Sequence, residues 1–458
     1  MVTTAEGQGN VTGMPETSSA TRSHDDTPEE LESTAAIARD LIRFDTTNYG
    51  EGRSNGEADA AAYVSAYLER LGLEPVTFES APGRASVIAR VEGRDRSKPA
   101  LVLHGHLDVV PADPENWSVD PFGGVIKDGM LWGRGAVDMK DMDAMILGAL
   151  DDILTAGEKP ERDTIVAFFA DEENGGVYGA HWLVDNHPEL FEGAGEAISE
   201  VGGYSTMVGD QRAYLLQTGE KALMWIKLIA RGPAAHGSRL VAQNAVTRVA
   251  EAVAAIGRLE WPIRLTDTTE QLLAEVARIL EVEPTDLGPD GLALATGSAS
   301  GFIQATLRTT SNPTMLNAGY KHNVIPDRAE AAIDIRTLPG DEDEVLATIR
   351  AIIGDDIEIV VTHRDVGLEN PFSGALVDTV AALISEHDPE AVVLPYLLSG
   401  GTDNKALSKL GIRGYGFAPL RLPAELDFPA MFHGVDERVP LDALVFGRAV
   451  LRDLLLSY

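Results

Sequence analysis

Apolar residues recur along this chain in two rhythms. Short continuous runs, such as 100–104 and 164–170, read as strands buried on both faces. Stretches with apolar residues at i, i+3 and i+4 read as helices. Leu31, Ala35, Ile37 and Leu41, then Ala61, Tyr63, Val64, Tyr67, Leu68 and Leu71, predict helix across 28–73, with Gly72 as the stop. Strands are expected at 75–79, 86–91 and 100–104. Met142, Met145, Ile146, Ala149, Leu150 and Ile153 predict a helix with Asp138 at its entry, where a carboxylate meets the positive end of the helix dipole. A strand at 164–170, a helix at 179–186 and a strand at 197–199 follow. This alternation predicts an α/β fold, a mostly parallel sheet with helices on both faces, whose ligands bind at the carboxyl ends of the strands.

The rhythm changes near Gln217. A strand at 222–230, a helix at 241–256, strands around 302–307 and 329–335, a helix at 342–353 and a strand at 357–362 spell β-α-β-β-α-β, a self-contained α+β sandwich. The stretch 261–300 interrupts it; 266–282 reads as helix and the glycine-rich part after Pro284 as loop. A second domain is therefore expected at 218–364, inserted between two parts of the first, 30–217 and 365–458. The returning part holds a helix at 375–386, a strand at 392–398, a turn at 399–403 and a last helix at 441–456.

Charge and composition narrow the partners. The 458 residues carry 37 Lys and Arg against 72 Asp and Glu, a net charge of −35. Nucleic acid and anionic membrane are disfavoured, because the phosphate term is repulsive. There is no cysteine, so disulfides and thiolate metal ligands are excluded and any metal falls to His, Asp and Glu. Residues 1–29 are rich in Thr, Ser, Gly and Glu; without a basic start or an apolar core they read as a disordered tail, not a signal peptide. No stretch approaches the roughly 18 apolar residues of a membrane span, and the expected address is the cytoplasm.

The chemistry sits where the apolar runs stop. One ends in His104-Gly105-His106-Leu107-Asp108, the next in Asp171-Glu172-Glu173, a third in Glu200, and Asp138 opens the helix between the first two. A buried strand that ends in three carboxylates is costly unless a cation waits there. Imidazole and carboxylate donors suit zinc, and also cobalt or manganese. A pair of such ions needs one bridging carboxylate, outer ligands for each, and a base that binds no metal. The expected parts are Asp138 as bridge, His106 and Glu200 for one divalent ion, Glu173 and His433 for the other, and Glu172 as base. Asp108, two residues after His106, is the expected partner that fixes its imidazole tautomer. His104 reads as a structural hydrogen-bonder at the strand end; His181, His187, His322, His363 and His387 read as surface or structural residues.

The segments 105–111, Trp117 with Pro121-Phe122, 128–140 and Asp171-Glu172-Glu173 together resemble the M20 family of dinuclear zinc peptidases and aminoacylases. The likeness runs over nearly the whole chain after Leu31. It implies the same roles for the residues above and a lid and dimerisation domain for the insertion, hence a homodimer. By resemblance, His236 in Gly232-Pro233-Ala234-Ala235-His236-Gly237-Ser238 reaches into the partner subunit's site and stabilises the tetrahedral oxyanion. Asn323 contacts substrate, Arg336 binds its carboxylate, and Gly401-Thr402-Asp403 forms a glycine-rich substrate loop. Asn404-Lys405 follows, where the family's deacylases often carry arginine, so Lys405 offers a point charge to a terminal carboxylate. The implied activity is metal-dependent hydrolysis of an amide bond next to a free carboxylate, in dipeptides, peptide C-termini or N-acyl amino acids, through a metal-held hydroxide with Glu172 moving the proton. The alternative is an inactive binding or association member of the same fold.

Overall fold

Every residue of the strand Thr164–Phe169 is buried, as an unbroken apolar run requires when both faces of a sheet are covered. In this computed structural model, residues 32–50 and 52–458 are described. The tail expected at 1–29 lies outside the described residues. On one side of the strand, Ile165, Ala167 and Phe169 pack with Leu183 and Val184 of the helix Ala180–Asn186 and with Ala406 and Leu407. The helix Lys140–Thr155, which buries the apolar series from Met142 to Ile153, packs against the neighbouring strand Ala100–His106 and between the helices Ser33–Ile42 and Leu441–Ser457.

These strands belong to a ten-stranded sheet. From edge to edge its main path runs Ser205–Val208, Gln211–Glu220, Arg413–Gly416, Ala194–Ser199, Ala100–His106, Thr164–Phe169, Arg84–Val91 and Val76–Ala81. The four strands from Arg413–Gly416 to Thr164–Phe169 are mutually parallel, so their carboxyl ends share one edge. Val392–Leu398 adds a parallel pairing on Gln211–Glu220. The outer pairings are antiparallel. The sheet is therefore mixed, not mostly parallel: the hairpin from Val76–Ala81 to Arg84–Val91 turns too tightly for a crossover helix, which parallel pairing needs.

Two other expectations fail for local reasons. The helix predicted over 28–73 breaks after Ile42; short strands Asn48–Gly50 and Arg53–Ser54 precede a second helix, Ala58–Arg70. The residues of 302–307 are helical, not a strand, and the glycine-rich part after Pro284 is no plain loop. Helices span Pro284–Leu294, kinked at Gly288, and Ser300–Thr306. Ile303, Thr306 and Leu307 are buried there, which is helical spacing that β-branched content disguised. The strand itself comes later, at Thr310–Ala318.

That strand edges a four-stranded antiparallel sheet in the order Thr310–Ala318, Arg328–Thr337, Ala222–Arg231, Glu358–Arg364. The helices Ala245–Gly257 and Glu342–Ile353 cover one face through Val249, Ile256 and Ile349. Burial alternates along Arg328–Thr337, so Ile333 and Ile335 face those helices while Asp334 and Arg336 face the other way. Lys221 alone separates this sheet from the strand Gln211–Glu220 of the large one. The helices Asp267–Ile279 and Ser300–Thr306 pack instead against Val392–Leu398. Among the described residues no helix is long and apolar enough to cross a membrane.

Candidate metal centre

Two neighbouring parallel strands deliver ligand candidates to the shared edge. His106 closes Ala100–His106, and Glu200 follows Ala194–Ser199. After Thr164–Phe169 the chain turns at Asp171 (φ 67°) into a single 3-10 turn, Glu172–Asn174. That turn removes the strand alternation and lets adjacent glutamates reach one site. Asp138 lies just ahead of the helix Lys140–Thr155, and its peptide bond to Met139 is cis.

The sequence-predicted ligands come together. His106 Nε2 lies 3.1 Å from Asp138 Oδ1 and 3.6 Å from Glu200 Oε1. His433 Nε2 lies 3.2 Å from Asp138 Oδ2 and 3.1 Å from Glu173 Oε2. Two donor groups result, His106–Asp138–Glu200 and Asp138–Glu173–His433, each with its ligand atoms within 4.8 Å of one another. Asp138 belongs to both and turns one oxygen to each imidazole.

The donors fit divalent ions. Four donors about 2.0 Å from a tetrahedral ion sit about 3.3 Å apart, close to these separations. Glu173 Oε1 and Glu200 Oε2 are buried without a hydrogen-bond partner, a costly condition for carboxylates unless a cation takes them. Electrostatics agree. Burial would raise the Asp138 carboxyl, but hydrogen bonds from His106 and His433 outweigh it and hold it far below its usual range. Hydrogen bonds to Asp138 and Glu173 push the His433 imidazole up to about 11. Burial, and then the nearby Glu200, pushes the Glu172 carboxyl well above its usual range. Negative charge is in excess here: the carboxylates of Asp138, Glu172, Glu173 and Glu200 share the site with the imidazoles of His106 and His433.

A layer of charged residues, of which the sequence reading named only Asp108, holds these groups. Asp108 was expected to fix His106 by its carboxylate. Instead its main-chain carbonyl meets His106 Nδ1 at 3.0 Å, with the carboxylate at 3.7 Å. The carboxylate accepts the backbone N–H groups of Glu172 (3.0 Å) and Glu173 (3.3 Å). Asp171 accepts from Arg84 Nη2 and Asn48 Nδ2, both at 2.9 Å, and Arg84 also grips Glu57 at 2.7 and 2.9 Å. Buried Glu437 accepts the N–H groups of Gly135, Val137 and Asp138 and pairs with Arg134 at 2.6 Å. The signal for this layer was weak: ordinary charges in turns and strand starts, with partners from 27 to 303 positions away.

A cavity of about 690 Å³ opens beside the cluster, between it and the uncovered face of the four-stranded sheet. Glu172, Arg336, Gly401 and Thr402 line it. Arg336 is already held by Asp334 at 2.7 and 3.1 Å, and Thr402 is held through its N–H and hydroxyl by Glu220. Lys405 is no free point charge: it is buried and donates to Asp365 Oδ2 at 2.7 Å and Lys221 O at 2.8 Å. His181 and His363, expected as surface or structural residues, also line the cavity. His236 and Asn323 do not. His236 lies on a separate two-stranded ribbon and Asn323 just before its second strand; His236 is exposed, its Nδ1 is 2.8 Å from Ser238 Oγ, and Gly237 N–H donates to Asn323 O. His104 is buried and bonded to Asn404 at 2.9 Å, as expected of a structural histidine.

Sheet, cavity and strand-end cluster together define an amide-bond hydrolase built on an α/β sheet. The chain belongs to Peptidase family M20/M25/M40, whose family model matches residues 102–457. It is 27% identical over 429 residues to the N-fatty-acyl-amino acid synthase/hydrolase PM20D1 of Xenopus tropicalis, covering 88% of this chain and 81% of the relative. It is 26% identical over 444 residues to human aminoacylase-1, covering 92% and 94%. In fold it is similar to the M20 family metallo-carboxypeptidase Sso-CP2 from Sulfolobus solfataricus, with a TM-score of 0.71 at 18% identity, covering 93% of this chain and 99% of the other.

Proposed function

We propose that the protein hydrolyses an amide bond next to a free carboxylate, in dipeptides, peptide C-termini or N-acyl amino acids, with two divalent ions held by His106, Asp138, Glu173, Glu200 and His433. The observation that carries this reading is the pair of donor groups sharing Asp138. Such ions, zinc first and cobalt or manganese as alternatives, supply Lewis acidity to the attacking water and the scissile carbonyl.

The chain's own residues do the rest. Glu172, on the cavity wall and bonded to the ligand layer only through its backbone, accepts a proton from the attacking water and hands it to the leaving amine nitrogen. Asp108 keeps that carboxylate and the neighbouring Glu173 in place by holding both amides. Arg336, already oriented by Asp334, receives the substrate carboxylate in a forked hydrogen bond. His236 stands outside its own cavity, which supports the reading that it serves a second copy in a homodimer, donating to the oxyanion. The absence of cysteine fits a cytoplasmic address.

The test is a screen of dipeptides and N-acyl amino acids after chelation and reloading with zinc, cobalt or manganese. Turnover restored by one of these ions supports the reading. A chain that binds two ions and cleaves none of these substrates favours the inactive binding alternative.

A further inference from the structure

The stretch 261–307 contributes nothing to the ligand cluster, yet its last helix reaches the cavity. Ser300–Thr306 places Phe302 and Ala305 in the wall, both half-buried with surface left for a ligand. The Phe302 ring lies 6.0 Å from that of Phe432, the residue before His433. Phe432 meets Phe428 edge-on at 5.5 Å, and Phe428 meets Tyr204 at 5.2 Å. A row of rings therefore runs from this helix to the His433 loop. The helix is fixed at its carboxyl end, where buried Lys221 donates to Ala305 O at 2.9 Å and Arg308 O at 2.7 Å.

We propose that this helix is a specificity element. Phe302, Ala305 and Phe432 form a subsite for an apolar group, aromatic or extended aliphatic, on the acyl side of the scissile carbonyl. The proposal rests on the hydrolase reading above. If Arg336 takes the free carboxylate, the acyl group is the part left to occupy the apolar face beside His433. The favoured substrates are then N-acyl amino acids with a long or aromatic acyl group. An acetyl group is too short to cover the rings, whereas each further methylene leaves water for an apolar wall.

The experiment compares kcat/KM for acetyl, hexanoyl and benzoyl derivatives of one amino acid, using the metal-loaded protein and its Phe302→Ala and Ala305→Trp variants. Calorimetry of the same compounds on the Glu172→Ala chain reads binding without turnover. The hexanoyl-to-acetyl ratio is expected to exceed about tenfold in the parent chain and to fall about tenfold in Phe302→Ala. Ala305→Trp, which only adds bulk toward the cavity, should lower the benzoyl-to-acetyl ratio, and it carries the test if Phe302→Ala folds poorly. A preference for acetyl, or ratios unmoved in both variants, overturns the subsite. If no compound is cleaved, the hydrolase reading fails, and the calorimetric order alone decides: tighter binding of the longer acyl groups supports the subsite, and equal binding ends it.

Discussion

The ligand cluster at the strand ends and the ribbon bearing His236 are built in opposite ways. Around the cluster, buried charges hold the surrounding chain: Asp108 holds two amides, Glu437 three, and Arg84 joins Glu57 to Asp171. The His236 imidazole is bonded to Ser238 on its own short turn and faces solvent. The first region is complete within one chain. The second takes part in catalysis, on the reading proposed above, only when a second copy approaches it.

Four substitutions probe that contrast, in falling order of effect. Asp138→Ala should remove both ions and all turnover, read by metal analysis; one ion fully retained would argue against a shared ligand. Glu172→Ala should lower kcat by about three orders of magnitude, the middle of the range for a lost general base, with both ions kept. Loss of metal in that variant would reassign Glu172 as a ligand. Arg84→Ala leaves Glu57 and Asp171 buried without their cation, and should cost about 3–5 kcal/mol in denaturant unfolding. A stability change near zero would mean the charged layer is dispensable. His236→Ala should reduce turnover about a hundredfold, the scale of one lost oxyanion donor, without affecting stability. Mixing it with Glu172→Ala protein should restore part of the activity if the histidine acts across a dimer. Failure to rescue would confine His236 to its own subunit or remove it from catalysis.

The same contrast explains what could be read from the sequence. The helix Glu342–Ile353 and the strand Val392–Leu398 appear with the predicted bounds, because a single period dominates each. Of the five ligand candidates, His106, Glu173 and Glu200 were conspicuous because each closes an apolar run, whereas Asp138 stood out at a helix entry. Glu57, Arg84 and Glu437 were not, since a charge gains meaning only from its partner, and theirs are brought near by the fold. The Ser300–Thr306 helix was misread because Phe302, Ile303 and Thr306 favour strands, while packing on Val392–Leu398 chose the helix. Asp108 stands beside His106 as its spacing suggests, but its carboxylate serves the turn at 172–173 more closely than the imidazole.

Lys221 is the whole covalent link between the last residue of one sheet strand and the first of the next. A tether of one residue holds the Cα atoms on either side of it within about 7 Å. At this crossing the Arg336 wall is stitched to the ligand edge with no slack, and buried Lys221, bonded to Ala305 O and Arg308 O, pins the seam from inside.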